Sequence, residues 1–353
     1  MKLFHCGRCA NLLYFENSCC TSCGASLGFA PDVMDLVAID PKGNDTWEEV
    51  TASYQYRLCG NYQNQGACNW LVPVSDSHVF CVACRLNCTI PDLSTFQNHD
   101  LWVRLEKEKR RLVYSLLRLK LPCEPRQEDQ YGLNFDFLAD QPAIFDERAK
   151  VKTGHANGVI TMNIAEADPV ERERMRSQMA EPYRTVLGHF RHESGHYYWD
   201  LLVRSGSWLS PVREVFGDDT RDYRQAMDQH YQYGPPGDWQ SWYISAYASS
   251  HAWEDWAETW AHYLHMVDTL ETAWQFGMRV NARQRPVMNS EPDPAFDPYQ
   301  ADDFDALIKH WLPLTLALNS LNRSMGHEDA YPFVLAAPVV EKLRLVHRIA
   351  HGG

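Results

Sequence analysis

The chain has 353 residues, enough to bury a full core and to build two domains. Its 45% hydrophobic and 22% charged content is that of a globular protein, and a net charge of −13 argues against gripping nucleic acid or an anionic membrane. MKLFHCGRC places cysteines where the apolar stretch of a signal peptide would lie, and no apolar run reaches bilayer length, so a soluble, cytoplasmic chain with no membrane partner is expected.

Ten of the eleven cysteines fall before residue 90. In a chain read as intracellular, that clustering points to reduced thiolates on metal and not to disulfides. Cys6-x-x-Cys9 and Cys20-x-x-Cys23 form the two knuckles of a small zinc ribbon, with Gly7 and Gly24 at tight turns. Cys19 leaves the register open by one residue, but only Cys20 pairs with Cys23 as C-x-x-C. Cys59, Cys68 and the pair Cys81-x-x-Cys84 supply a second four-cysteine set, in which Cys88 could replace a ligand. Structural zinc would stand in for the hydrophobic core that so short a module cannot build. The expected zinc-ribbon domain is 1–95 with two four-cysteine zinc sites, and 96–353 is the expected second domain.

From Asp100 to Leu121 leucines recur at helical spacing until Pro122. Its basic residues Lys107, Lys109, Arg110 and Arg111 alternate with Glu106 and Glu108 and read as a solvated helix face. Gly132–Leu138 and Gly158–Ile164 read as strands, the second bounded by Asn157-Gly158. Asp168-Pro169-Val170-Glu171 is a helix start, with Asp as N-cap and Pro at the first position. Pro182 restarts a helix that runs to about Val203. A long helical region begins near Trp239, and a Pro/Asp-rich stretch at 289–303 separates it from C-terminal helices. The fold class expected is α+β: a β-rich zinc-ribbon module, then a mostly helical domain with a small sheet.

Within the helix ending near Val203 lies His192-Glu193-Ser194-Gly195-His196. Histidines four apart project from one helix face and can bind one Zn²⁺, while Glu193 sits where it could take a proton from metal-activated water. A catalytic zinc needs a third protein ligand. The metzincin completion is absent, since Trp199 and Leu202 occupy its Gly and His positions. The alternative is an acid from a later helix, and Glu254-Asp255-Trp256-Ala257-Glu258 offers one: Glu254 is preferred over Glu258 or Asp255. Glu258 shares the face of Glu254 and could accept the free N–H of a ligand histidine. Continued backward, the face reaches His251 and Tyr247, a phenol that could donate to an oxyanion. His189, His251, His262 and His265 read as outer or surface residues.

CGRC…CTSC, ACNWLVP, CVACRLNCTIPDL, FRHESGHYYWDLL, AYASSHAWEDWAETWAHYLH and DAYPF together resemble bacterial zinc-binding metallopeptidases with an N-terminal zinc-ribbon domain, over almost the whole chain. The resemblance implies a gluzincin-type peptidase with one catalytic and two structural zinc ions. Glu254-x-x-Ala257-Glu258, with Tyr247 seven residues earlier, also looks like the active site of lethal-factor-type peptidases, which implies Glu254 as zinc ligand and Tyr247 as oxyanion donor. Cys88 departs from the pattern and stays outside the ligand set. The expected partners are a peptide or protein substrate and a protein target recruited by the ribbon. Gly158–Ile164 is the candidate edge strand for an extended substrate. The competing reading is a zinc-ribbon adaptor whose zincin-like domain has lost catalysis.

Overall fold

The structure, a computed structural model, describes residues 2–140, 151–179, 185–281 and 296–352. The chain divides into two units: Met1–Tyr114, Pro122–Thr153 and Val159–Glu171 form the first, and Ser115–Leu121, Gly154–Gly158 and Arg172–Gly353 the second.

The first unit opens with β1 (Phe4–His5) antiparallel to β2 (Leu12–Leu13), the first cysteine knuckle lying between them. Five strands follow as an antiparallel meander: β3 (Ser26–Ala30), β4 (Asp35–Gly43), β5 (Thr46–Glu49), β6 (Gln55–Leu58) and β7 (Leu71–Pro73). Asn44 and Asp45 both take positive φ (51° and 56°), the conformation of a two-residue hairpin turn that matches the twist of its strands. A short helix, α1 (Gly60–Gln65), follows Cys59 directly. Phe15, Phe29 and Trp70 cluster in the core, mostly edge-on, with Phe4 stacked on Phe15, and Tyr114 from helix α2 (Asn98–Arg118) packs onto Phe15 at 5.4 Å between ring centroids.

The expected charged face of α2 is not solvated. Glu106 and Lys109 are fully buried and ion-paired at 2.9 Å, and Arg110 is buried with its guanidinium donating to the carbonyl of Ala67. Lys109 also donates to Asn87 and lies over the rings of Phe135 and Phe137. Lys107, Glu108 and Arg111 keep partial exposure, Arg111 paired with Glu16. The charges alternate because one side of the helix faces a polar interior, not water.

A second sheet has the order β10-β11-β9-β8, with β8 (Asn87–Thr89), β9 (Asn134–Leu138), β10 (Gly154–Ala156) and β11 (Val159–Asn163). β9 is parallel to both β8 and β11. The two expected strands are therefore present, and Asn157 and Gly158 form the predicted turn at φ 49° and 79°. β11 is an inner strand, however, so it offers no free edge; β10 is the terminal strand. Helix α3 (Pro169–Met179) starts as read, the Asp168 carboxylate accepting from the backbone N–H of Val170 at 2.7 Å.

The second unit is helical. α4 (Val186–Tyr198) is capped by Thr185, whose hydroxyl accepts from Gly188 N–H at 3.0 Å, and continues through a π turn at Trp199–Val203. Pro182, the expected restart, lies outside the described residues. α5 (Leu209–Phe216) and α6 (Tyr223–Tyr233) follow, then α7 (Ala252–Gln275), α8 (Phe304–Ser324) and α9 (Ala337–Ala350). α7 packs against α4, α8 and α9, and is buried around most of its circumference, as befits a central helix. Trp256, Trp260, Tyr263 and Leu264 of α7 are fully buried there. The helix expected from Trp239 is broken: Trp239–Ser241 and Tyr247–Ser249 are separate 3-10 turns, and α7 begins only at Ala252. The break comes from His251, which is extended (φ −154°, ψ 149°) and caps α7 with its own imidazole. The chain is thus α+β, a β-rich cysteine-bearing region followed by a largely helical one with a small sheet. No described helix is long and apolar enough to cross a membrane.

Candidate metal centres

Three clusters of metal-ligating side chains form among the described residues, each with its donor atoms within 4.8 Å of one another. The first joins Cys6, Cys9, Cys20 and Cys23. The sulfurs of Cys6 and Cys23 are 3.7 Å apart and those of Cys9 and Cys20 3.6 Å, with no disulfide. Thiolates about 2.3 Å from one tetrahedral ion stand about 3.8 Å apart, so the cluster has the dimensions of a zinc knuckle pair. The backbone N–H of Cys23 bonds to the Cys20 sulfur and leads in lowering its pKa to about 6. The N–H of Ala25 would lower that of Cys23, but burial and the neighbouring thiols push it up to about 12, so within this pair Cys20 is the thiolate.

The second cluster joins Cys59, Cys68, Cys81 and Cys84, all buried, with the Cys68 and Cys81 sulfurs 3.8 Å apart. Backbone N–H groups of Trp70 and Cys81 donate to the sulfurs of Cys68 and Cys59, each at 3.3 Å. Cys88 is exposed and outside this cluster. Reading the sequence missed the charges beside it. A Glu106 carboxylate oxygen lies 3.9 Å from the Cys84 sulfur. Burial alone would lower the pKa of Arg110, but Cys68, Glu106, Cys84 and Cys81 hold it above its ordinary value. Four thiolates around one Zn²⁺ leave a net negative charge, which a buried guanidinium offsets.

The third cluster lies where α4 meets α7. Two indoles fasten these helices: Trp256 Nε1 donates to the carbonyl of Gly195 at 2.8 Å, and Trp260 Nε1 to the Ser194 hydroxyl at 3.1 Å. The contact brings His192 Nε2, His196 Nε2 and Glu254 Oε2 together. The two nitrogens are 3.1 Å apart, and Oε2 is 3.0 Å from the first and 3.4 Å from the second. Glu254 is 1% exposed, and its Oε2 is buried without a hydrogen-bond partner. An orphaned buried carboxylate oxygen aimed at two imidazole nitrogens is costly unless a cation sits among them, and donors about 2.0–2.2 Å from one Zn²⁺ would show separations of about this size. The residues fit the ion.

Their surroundings sort the remaining candidates. Glu258 Oε1 accepts from His192 Nδ1 at 2.7 Å, and its Oε2 accepts from the Ser245 hydroxyl at 2.6 Å. Burial would raise the Glu258 pKa, but His192 and His262 with Ser245 bring it down to about 2. Burial would lower that of His192, and the facing carboxylates of Glu254 and Glu258 reverse the sign to a marked rise. Asp255 points away, paired with Lys342 at 2.6 Å in a buried bridge. Glu193 is buried, with Oε2 unpartnered. Tyr247 reaches the site from its own 3-10 turn, not from the helix face, its ring centroid 6.0 Å from that of His192. Burial, then the charge of Glu254, raises its pKa strongly, so it stays a phenol. His262 binds Tyr331 at 2.8 Å, His265 packs on Trp311 and Tyr331, and His189 stands in the first turn of α4; none joins the cluster. Two neighbours escaped sequence reasoning. Tyr223 of α6 donates to Glu254 Oε1 at 2.7 Å, and the Trp253 ring lies 3.8 Å from that of His196.

Comparison with known proteins agrees with these clusters. Residues 3–95 match a zinc-ribbon domain. The chain is similar to uncharacterized proteins of Mycobacterium tuberculosis (strains CDC 1551 / Oshkosh and ATCC 25618 / H37Rv) and Mycobacterium bovis, each 44% identical over 351 residues, covering 99% of this chain and 95% of the relative. No solved structure matches it. Residues 98–349 match the family described as "Putative zinc-binding metallo-peptidase", and the chain belongs to that family.

Proposed function

We propose that the protein is a gluzincin-type zinc peptidase. In this reading His192, His196 and Glu254 hold a catalytic ion, and Cys6, Cys9, Cys20, Cys23 and Cys59, Cys68, Cys81, Cys84 each hold a structural one. The observation that carries it is the convergence of two imidazole nitrogens on an orphaned, buried glutamate oxygen beside a second buried glutamate, Glu193. Zinc there supplies Lewis acidity, which acidifies water and polarises a carbonyl. Glu193 takes the proton from the attacking water and passes it to the leaving nitrogen as the C–N bond breaks. Tyr247 donates its phenolic hydrogen to the oxygen on which negative charge develops. Glu258 holds His192 by Nδ1, which fixes the tautomer and leaves Nε2 as the donor.

The domain division belongs to the same proposal: a ribbon at 1–95 that recruits a protein target, and a peptidase at 96–353 that cuts a peptide or protein. Two sets of uncrosslinked cysteines suit a reducing compartment, which supports a cytoplasmic location. Cleavage of a diverse peptide library by wild type and Glu193→Gln tests the reading. The variant is expected to keep three zinc equivalents and to lose hydrolysis. Equal turnover by both proteins overturns the role of Glu193, and full zinc content without any wild-type cleavage favours an adaptor.

A further inference from the structure

Glu254 shows its two oxygens to two environments. Oε2 faces the imidazole pair, and Oε1 accepts from the Tyr223 hydroxyl at 2.7 Å. The terminal torsion of a glutamate is broad and roughly two-fold, so nothing within Glu254 itself decides which oxygen is offered, or whether both are. A single strong donor on one oxygen does decide it. A phenol suits that task, because with an ordinary pKa near 10 it keeps its proton at neutral pH.

The position of Tyr223 is itself fixed from both helices. It is the first residue of α6, and Asp222 caps that helix by accepting from Gln225 N–H at 2.8 Å. His251, the cap of α7, accepts from Trp253 N–H on Nδ1 at 3.1 Å. That bond leaves Nε2 as the protonated nitrogen, and it lies 3.1 Å from the carbonyl of Arg221, two residues before Tyr223. One imidazole therefore starts α7 three residues before Glu254 and ties down the chain entering α6. The tyrosine ring sits edge-on to His251 (5.4 Å, 75°) and to Trp253 (5.7 Å, 79°), and Trp253 in turn packs on His196.

We infer that Tyr223 is a positioning residue of the metal centre: through its hydroxyl it holds Glu254 so that one oxygen, Oε2, is presented to the ion beside His192 and His196. The inference rests on the proposed ligand set. Tyr223→Phe removes the donor and keeps the ring with its edge contacts. The test is retention of zinc by the full-length protein dialysed against graded concentrations of dipicolinate, the cysteine-bound ions serving as internal reference and His192→Ala marking the equivalent in question. Tyr223→Phe is expected to lose that equivalent at on the order of 10–100-fold lower affinity, with the cysteine-bound zinc retained. Co²⁺ refilled into the emptied site is expected to give a visible spectrum altered from wild type, as the carboxylate turns toward two-oxygen binding. Unchanged affinity together with an unchanged Co²⁺ spectrum overturns the role of Tyr223 while leaving the ligand set standing. If His192→Ala loses no equivalent, the ligand set falls and this inference with it.

Discussion

A β-carbon on Gly195 would stand 2.9 Å from the Cα of Ala257. α4 and α7 therefore meet backbone to backbone inside the H-E-x-x-H stretch, and that approach lets the short arm of Glu254 reach both histidines. Glycine in a helix interior is ordinarily about 0.5–1 kcal/mol worse than alanine, so Gly195→Ala would be stabilising on propensity alone. Here the sign reverses, because the obstacle is a main-chain atom that cannot swing aside, with Trp260 Cβ at 3.1 Å behind it. The substitution is expected to cost about 1–3 kcal/mol in urea denaturation and to weaken retention of one zinc equivalent. A more stable variant with full zinc would show that the helices are not locked at this point.

Glu106 and Lys109 form the second test, since both are fully buried and the pair adjoins Cys84. Removing one partner of a buried ion pair strands the other, at about 3–5 kcal/mol, whereas replacing both with apolar residues is often neutral. Glu106→Leu is expected to destabilise by that amount. Adding Lys109→Met is expected to restore most of the stability. Two losses that simply add in a double-mutant cycle would show that the residues do not act as a pair.

What was legible in the sequence is what helix geometry and knuckle spacing dictate locally. His192 and His196 had to share a face, as did Glu254 and Glu258, and each C-x-x-C pair had to turn toward a common point. Tyr223 was not legible, because it reaches Glu254 from another helix and no period links the two. The local signal was only Asp222 as a helix cap, which places the tyrosine at the first position. Tyr247 was found for a reason that does not hold: histidine is not among the common cap residues, so the break at His251 gave no warning. The buried charges of α2 look like a wet face because a single helix reports its own alternation and not what covers it. The inner place of β11 was hidden for the same reason, since a five-residue strand does not name its neighbours.

His347 gives the protein a predictable acid limit. It is 2% exposed, its Nδ1 lies 3.1 Å from the Tyr263 hydroxyl, and its ring is 4.4 Å from that of His351. Burial first, then His351, pushes its pKa down to about 4 from 6.5. Between those values the unfolded chain binds a proton that the folded chain refuses, so stability rises with pH across the window. The contribution is complete above about pH 6.5 and is lost as pH falls toward 4. His262 and His265, lowered mainly by burial to about 4 and about 3, act in the same sense. Asp255, raised by burial to about 7, and Asp200, also raised by burial, act in the opposite sense, but His155, lowered by burial to about 3, joins the other three histidines. Stability measured by urea denaturation should therefore fall steeply between pH 6.5 and 4. His347→Gln, which cannot gain the proton in either state, should make that fall shallower by on the order of 1–3 kcal/mol. An acid limb of unchanged steepness in the variant would mean that His347 titrates alike in the folded and unfolded chain, and that its burial does not exclude the charge.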